Sequence, residues 1–175
     1  MQDHQLINQD SGVCEWYTPA DIIGRVRNVL DGIDLDPASC FKANRVVRAE
    51  TFFGHDIDGL SRSWIAGSVW MNHPFSRKGN PIWIDKFISE FEKEHFSQGC
   101  AIMYSSTDTD WYQRMAQRFI KCEMGRRTKF WGPSNNKNRP TKGCSIFYAG
   151  NDEYKFAGAF EDLGVITVPF SLYRR

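Results

Sequence analysis

Four consecutive residues, Asn72-His73-Pro74-Phe75, hold the groups that a reaction at an aromatic amine needs. The exocyclic amine of a nucleobase is a poor nucleophile because its lone pair is delocalised into the ring. Acceptors for both amine hydrogens favour a pyramidal nitrogen, whose lone pair can attack a methyl group. Asn72 offers a side-chain amide oxygen, His73 a backbone carbonyl, Pro74 a stiff turn, and Phe75 a ring to stack on the base. The same four residues would also serve as a plain strand-to-loop turn ending in a core phenylalanine.

Two further segments carry groups of the kind that bind a ligand. Glu15-Trp16-Tyr17-Thr18-Pro19 puts two aromatic residues directly before a helix N-terminus. Ile33-Asp34-Leu35-Asp36-Pro37-Ala38-Ser39 puts two acids at the C-terminal end of a predicted strand, the edge where open α/β sheets bind ligands. A carboxylate there can hold an ammonium group or ribose hydroxyls. The structural alternatives are a hydrophobic staple for Trp16 and Tyr17, and turn or capping chemistry for Asp34 and Asp36. A basic stretch stands apart from both. Nine Lys and Arg residues fall between Gln113 and Lys142 against one acid, Glu123, so the stretch carries +8 in a chain of net charge +1. Charge segregated in this way can meet a polyanion while the whole chain stays near neutral. On charge alone, a solvated surface with acidic neighbours is the simpler explanation.

The elements that must position these residues alternate between helical and strand-like periods. Thr18 as N-cap, Pro19 at the first helical position and Asp21 in the capping-box place open a first helix. Ile22, Val26, Val29 and Leu30 give its apolar face, and Gly32 stops it. Ile33–Leu35 reads as a short buried strand, Val46-Val47 as a second, and Ser68–Met71 as a third that delivers Asn72 at its end. Asn80-Pro81 opens a second helix with Ile84, Phe87, Ile88 and Phe91 on one face. Cys100–Tyr104 reads as a buried strand, and a third helix near Thr109 carries Trp111, Met115 and Phe119. Thr128–Trp131 and Cys144–Tyr148 read as a strand pair, joined by the polar, basic loop 132–143, a length that points to function or motion. Asn151 caps a last helix with Phe156, Phe160 and Leu163, Gly164 ends it, and Val165–Phe170 is a last strand. This alternation predicts an α/β sheet covered on both faces.

At 175 residues, 41% apolar and 25% charged, the chain has the size and make-up of a single globular domain over 1–175, with residues 1–14 expected as a flexible tail. No uncharged run is long enough to span a bilayer, and the N-terminus has no basic and apolar regions of the secretory kind. Cys14, Cys40, Cys100, Cys122 and Cys144 are scattered and form no Cys-x-x-Cys. Neither a disulfide framework nor a metal site is predicted, and a reduced, cytoplasmic protein is expected.

Together, E-W-Y-T-P at Glu15–Pro19, I-D-L-D-P-A-S at Ile33–Ser39, Ala43-Asn44, Asp58-Gly59-Leu60 with the following Trp64, and N-H-P-F-S at Asn72–Ser76 resemble the phage-type DNA N6-adenine methyltransferase (Dam-like) family, over about Glu15 to Phe170. The resemblance implies a class I S-adenosylmethionine-dependent fold: Rossmann-like, with a mostly parallel sheet and helices on both faces, in a compact minimal version. It implies direct methyl transfer from S-adenosylmethionine to N6 of adenine in double-stranded DNA, with the base flipped from the duplex and S-adenosylhomocysteine as product. Asn72, His73, Pro74 and Phe75 would be catalytic. Trp16, Tyr17, Thr18, Pro19, Asp34, Asp36, Pro37, Ser39 and Asp58 would hold the cofactor. Arg126, Arg127, Lys129, Lys137, Arg139 and Lys142 would hold DNA, the two arginines being candidates for reading guanine.

Two departures from the family pattern stand out. The glycine-rich continuation that related amino-methyltransferases carry after the acid is absent after Asp36. The usual motif also has proline where His73 stands; the carbonyl survives, but its fixed φ does not, and an ionisable ring is added. Cytosine N4 methylation shares the chemistry. A catalytically silent DNA-binding protein with His73 as its lesion, and a small-molecule methyltransferase, are the readings from other classes. The resemblance further implies a phage or prophage protein that acts in the bacterial cytoplasm, with restriction evasion as its role. No membrane partner is expected, and no residue pattern speaks to oligomeric state, for which a monomer is the expectation.

Overall fold

The most apolar runs of the chain become the middle of one seven-stranded sheet. The computed structural model describes residues 16–132 and 142–171. Its strands are β1 (Leu35–Asp36), β2 (Thr51–Phe52), β3 (Ser68–Met71), β4 (Gln98–Tyr104), β5 (Ile120–Met124), β6 (Cys144–Ala149) and β7 (Gly164–Thr167). Its helices are α1 (Ala20–Leu30), α2 (Phe41–Val47), α3 (Gly79–Glu92), α4 (Asp110–Ala116) and α5 (Glu153–Phe160). Every residue of β3 and of β6 is buried, as strands covered on both faces require.

The strand order is β2-β1-β3-β4-β6-β5-β7. Pairing is parallel from β2 to β4 and antiparallel from β4 to β7, so five of the seven strands share one direction and β6 and β7 oppose them. The sheet is therefore mixed, with β6 inserted between β4 and β5. From β1 the chain steps to β2 on one side, and from β3 it steps to β4 on the other. Right-handed crossovers then send α2 and α3 to opposite faces. Helix α1 packs on β3 and β4 and against α2 and α5, while α3 packs against α4. The reversal between β1 and β3 is a topological switch point, and a crevice opens at the carboxyl ends of those two strands.

Several elements differ from the sequence-based expectation for identifiable reasons. Pro19, not Thr18, stands at the N-cap of α1, with no side-chain cap. Strand β1 begins at Leu35 because Asp34 is engaged elsewhere: its Oδ2 accepts from Ser68 N–H at 2.9 Å, and its own N–H donates to Ser68 Oγ at 3.0 Å. Val46 and Val47 belong to α2, not to a strand. Cys40 Sγ accepts from Ala43 N–H at the start of that helix, and the Asn44 amide makes two hydrogen bonds with the Ala49 backbone beyond its end. Thr128–Trp131 does not pair with β6, whose edges are filled by β4 and β5; Trp131 instead forms an isolated bridge with Tyr17. Asp152, not Asn151, caps α5 by accepting from Lys155 N–H at 3.0 Å. Cys40, Cys100, Cys122 and Cys144 are free thiols. Among the described residues, no helix is long and apolar enough to cross a membrane. Residues 1–15 and 133–141, which include Cys14, Glu15, Lys137 and Arg139, lie outside the described residues.

One buried carboxylate holds the loop that leads into β3. Glu90 on α3 is 2% exposed. Its Oε2 accepts from Trp64 N–H at 2.6 Å and from His95 Nδ1 at 2.8 Å, and its Oε1 accepts from Lys86 Nζ at 2.9 Å. Burial alone would raise this carboxyl, but the donors from Lys86, Trp64 and His95 outweigh it and hold the pKa at about 2. The folded-state pKa lies below the unfolded value of 4.5, so the stabilisation is present above that pH and is lost as pH falls toward 2. Glu90→Gln is expected to cost about 2–3 kcal/mol at pH 7 in denaturant unfolding and to flatten the acid limb of the stability curve. An unchanged midpoint would show that the three donors contribute nothing net.

Candidate active site

The crevice at the switch point is a cavity of about 350 Å³, within the range of small-molecule sites. Trp16, Tyr17 and Thr18 line it from the segment before α1, and Asp36, Pro37, Ala38 and Ser39 from the turn after β1. Phe53, Gly54, His55, Ile57, Asp58 and Gly59 follow β2, Trp70, Asn72 and Pro74 come from β3 and its exit, and Trp83 comes from α3. Segments far apart in sequence thus meet because parallel strands deliver their carboxyl ends to one edge.

Asn72 sits where β3 ends. Its Nδ2 donates to the Trp16 carbonyl at 2.6 Å. A carbonyl only accepts, so this bond fixes the amide's orientation and turns Oδ1 the other way. Oδ1 is shielded from water and has no hydrogen-bond partner among the described residues. A buried acceptor without a donor is costly, and a ligand bringing an N–H would relieve it.

Asp36 lines the crevice from the end of β1. It is 2% exposed, and its Oδ1 accepts from Ala38 N–H at 3.1 Å. Burial pushes its carboxyl up to about 7, against the lowering effect of its hydrogen bonds. Thr18 and Trp70 also line the cavity, and Thr18 Oγ1 and Trp70 Nε1 are buried with no partner among the described residues. A buried carboxylate, two unpartnered donors and apolar Phe53 and Ile57 fit a zwitterionic amino-acid group joined to a nucleoside. Gly59 carries a steric requirement: a Cβ there would strike the Pro37 carbonyl and the Trp83 ring. Trp64 Nε1 donates to the Gly59 carbonyl at 2.8 Å and holds that turn over the end of β1.

Not every sequence-predicted residue is gathered here. Among the expected cofactor residues, Trp16, Tyr17, Thr18, Asp36, Pro37, Ser39 and Asp58 line the cavity, while Pro19 and Asp34 do not. Pro19 starts α1, and Asp34 lies at the entrance of β1, the end away from the crevice. Of the four motif residues, Asn72 and Pro74 line it. The His73 ring is buried against α3, and Phe75 packs against Tyr104 at 4.4 Å and Phe130 at 5.8 Å between ring centroids. Phe53, Trp70 and Trp83 were not singled out in the sequence. Their apolar character marks them only as core, and nothing local shows that one edge of each faces a cavity.

The basic stretch divides. Arg114 pairs with Asp85 and Arg118 with Glu92, which is the solvated-surface reading for those two, while Lys121 is buried and pairs with Glu123. Arg126, Arg127 and Lys129 are exposed and form no ion pair among the described residues. Lys142 lies over the Tyr104 ring, 5.8 Å from its centroid. The chain on either side of 133–141 is tied near the crevice. Tyr17 and Trp131 exchange two backbone hydrogen bonds, and Ser105 N–H donates to the Gly143 carbonyl.

Residues 8–147 match the model of the family described as DNA N-6-adenine-methyltransferase (Dam). No curated protein matches the chain.

Proposed function

The chain belongs to the DNA N-6-adenine-methyltransferase (Dam) family, and on that premise we propose that it methylates N6 of adenine in double-stranded DNA, on a class I methyltransferase fold. One observation carries this reading. Asn72, whose amide oxygen is oriented and unpartnered among the described residues, lines the same crevice as the Asp36 turn. S-adenosylmethionine, when bound, supplies a methyl group activated on a sulfonium. Asp36 would face its ammonium group, Thr18 and Trp70 its carboxylate, and Phe53, Ile57 and Asp58 its nucleoside.

The rest is done by the chain's own groups. Asn72 Oδ1 accepts one hydrogen of the target amine and the His73 carbonyl accepts the other. The two bonds draw the nitrogen toward a pyramidal geometry and aim its lone pair into the crevice. Asn72 is neutral and takes no proton; the amine's extra proton leaves to water after the new N–C bond has formed. Phe75 and Tyr104, whose ring centroids lie 4.4 Å apart, would form the surface on which the flipped base stacks. Arg126, Arg127, Lys129 and Lys142, with Lys137 and Arg139, would neutralise the flanking phosphates. The setting would be the cytoplasm of a phage-infected or lysogenic bacterium, and the role protection from restriction.

DNA binding by these residues would have a salt signature. Each lost phosphate contact lowers the slope of log affinity against log salt by about one. Changing Arg126, Arg127 and Lys129 together to Ala is expected to lower the slope by about one for each of the three that contacts phosphate and not guanine, about three at most, while the affinity for S-adenosylhomocysteine holds. An unchanged slope would return these residues to the solvated-surface reading.

The functional reading is tested by offering methyl-labelled S-adenosylmethionine with unmethylated duplex DNA, a protein mixture or small aromatic amines as acceptors. Label is expected in DNA alone. Label in the small amines would favour the small-molecule reading. Cofactor binding with no transfer to any acceptor would favour the silent DNA-binding protein.

A further inference from the structure

The residue that departs from the family motif has a partner. His73 is 2% exposed and Asn80 8%, and the imidazole Nε2 lies 3.2 Å from Asn80 Oδ1. An amide oxygen only accepts, so Nε2 carries the hydrogen. The ring is stacked on Trp83 at 6.3 Å and 28° and meets Phe75 edge-on at 5.3 Å and 82°. Asn80 is itself fixed. Its N–H donates to the Ser76 carbonyl at 2.9 Å, Ser76 Oγ accepts from Gly79 N–H at 2.9 Å, and Ser76 N–H donates to the Pro74 carbonyl at 3.0 Å. The imidazole–amide bond therefore closes a turn that is already tied within itself, from the acceptor-bearing residue 73 to the first turn of α3.

We propose that Asn80 is a positioning residue: through its hydrogen bond to His73 it locks the turn that presents the Asn72 and His73 acceptors, the task that a proline ring performs by fixing φ. The kinetic consequence rests on the methyl-transfer reading; the lock itself rests on geometry. His73 acts here through its backbone and as a strut, not as an acid or base. Its ring does not line the crevice, and its burial pushes the imidazole pKa down to about 4, so the ring stays neutral; the Asn80 oxygen selects the Nε2–H tautomer, which leaves Nδ1 bare and without a partner among the described residues.

The test is a double-substitution cycle on the full chain, read in kcat, in KM for DNA and in the Kd of S-adenosylhomocysteine. Asn80→Ala is expected to lower kcat about tenfold or more, with the cofactor Kd unchanged within about twofold. In a His73→Pro background the same substitution is expected to lower kcat by less than about twofold, because proline needs no partner at position 80. His73→Phe keeps a ring on Trp83 but cannot donate. It is expected to match Asn80→Ala, and it replaces that variant if the alanine protein does not fold. Equal losses in the two backgrounds, or an unchanged kcat in Asn80→Ala, overturn the proposal.

A second readout does not depend on activity. In 15N NMR at pH 7 the His73 imidazole is expected to be protonated at Nε2 and hydrogen-bonded, with that bond lost in Asn80→Ala. A bare Nε2 overturns the lock. If the wild-type protein transfers no methyl group, the functional reading falls. The lock is then decided by this signal and by the same cycle read in thermal stability, where the loss from Asn80→Ala is expected to shrink in the His73→Pro background.

Discussion

Asn72→Ala is expected to lower kcat by about a hundredfold or more, leaving a folded protein that still binds S-adenosylhomocysteine. The size follows from what the side chain does. Its Nδ2 is held by the Trp16 carbonyl at 2.6 Å, so its Oδ1 is already in place before an amine arrives and has no competing donor among the described residues. An acceptor oriented in advance costs no reorganisation when charge develops on the amine nitrogen. Removing it also frees the Trp16 carbonyl, but Trp16 remains buried in the core, so the cofactor side of the crevice stays formed. Asn72→Asp is a sharper control. It keeps an oxygen for the amine but sets a carboxylate against the Trp16 carbonyl, and it is expected to lose the fixed orientation along with most of the rate. Near-normal turnover in Asn72→Ala would remove this residue from the chemistry.

Asp36→Ala is expected to weaken S-adenosylhomocysteine binding by about a hundredfold, the scale of truncating one partner of a buried charge pair. A titration accompanies it. In the free protein burial raises the Asp36 carboxyl to about 7, well above its ordinary 3.8. A raised carboxyl favours the folded state at low pH, and that contribution is lost as pH rises from about 4 through 7. An ammonium group placed beside it restores the ionised form. Cofactor binding is therefore expected to tighten between about pH 6 and 7.5 and to release about half a proton at pH 7. Calorimetry in buffers of different ionisation enthalpy reads that proton. Asp36→Asn is expected to abolish the release; release that persists in this variant would assign it to another group.

How far the sequence led depended on whether a residue's task was local. Strand β3 and helix α3 were legible because an uninterrupted apolar run and a helical stripe are set by neighbouring residues. The Asn72 turn was legible for the same reason, since its groups lie within four positions. Thr18 misled because N-cap preferences describe a helix with no competing task; here the residue lines the crevice and α1 goes without a side-chain cap. Asp34 misled in the same manner, since only the fold reveals that Ser68 is its partner. Strand β5 was hidden by Trp111, Met115 and Phe119, whose four-residue spacing runs past the end of α4. The Tyr17–Trp131 bridge joins positions 114 residues apart, and no periodicity encodes it. At His73 only the lost fixed φ was legible, and nothing local marked Asn80, which looked like an ordinary helix start, as a partner for the ring.

The identity of the methylated atom decides whether this protein acts at adenine N6. Unmethylated duplex DNA is incubated with the protein and methyl-labelled S-adenosylmethionine, digested to nucleosides and resolved by mass spectrometry. Labelled N6-methyladenine is expected from the wild-type protein and is expected to vanish in Asn72→Ala. Label on cytosine, or no label from a folded protein that binds S-adenosylhomocysteine, would rule out methyl transfer to adenine N6.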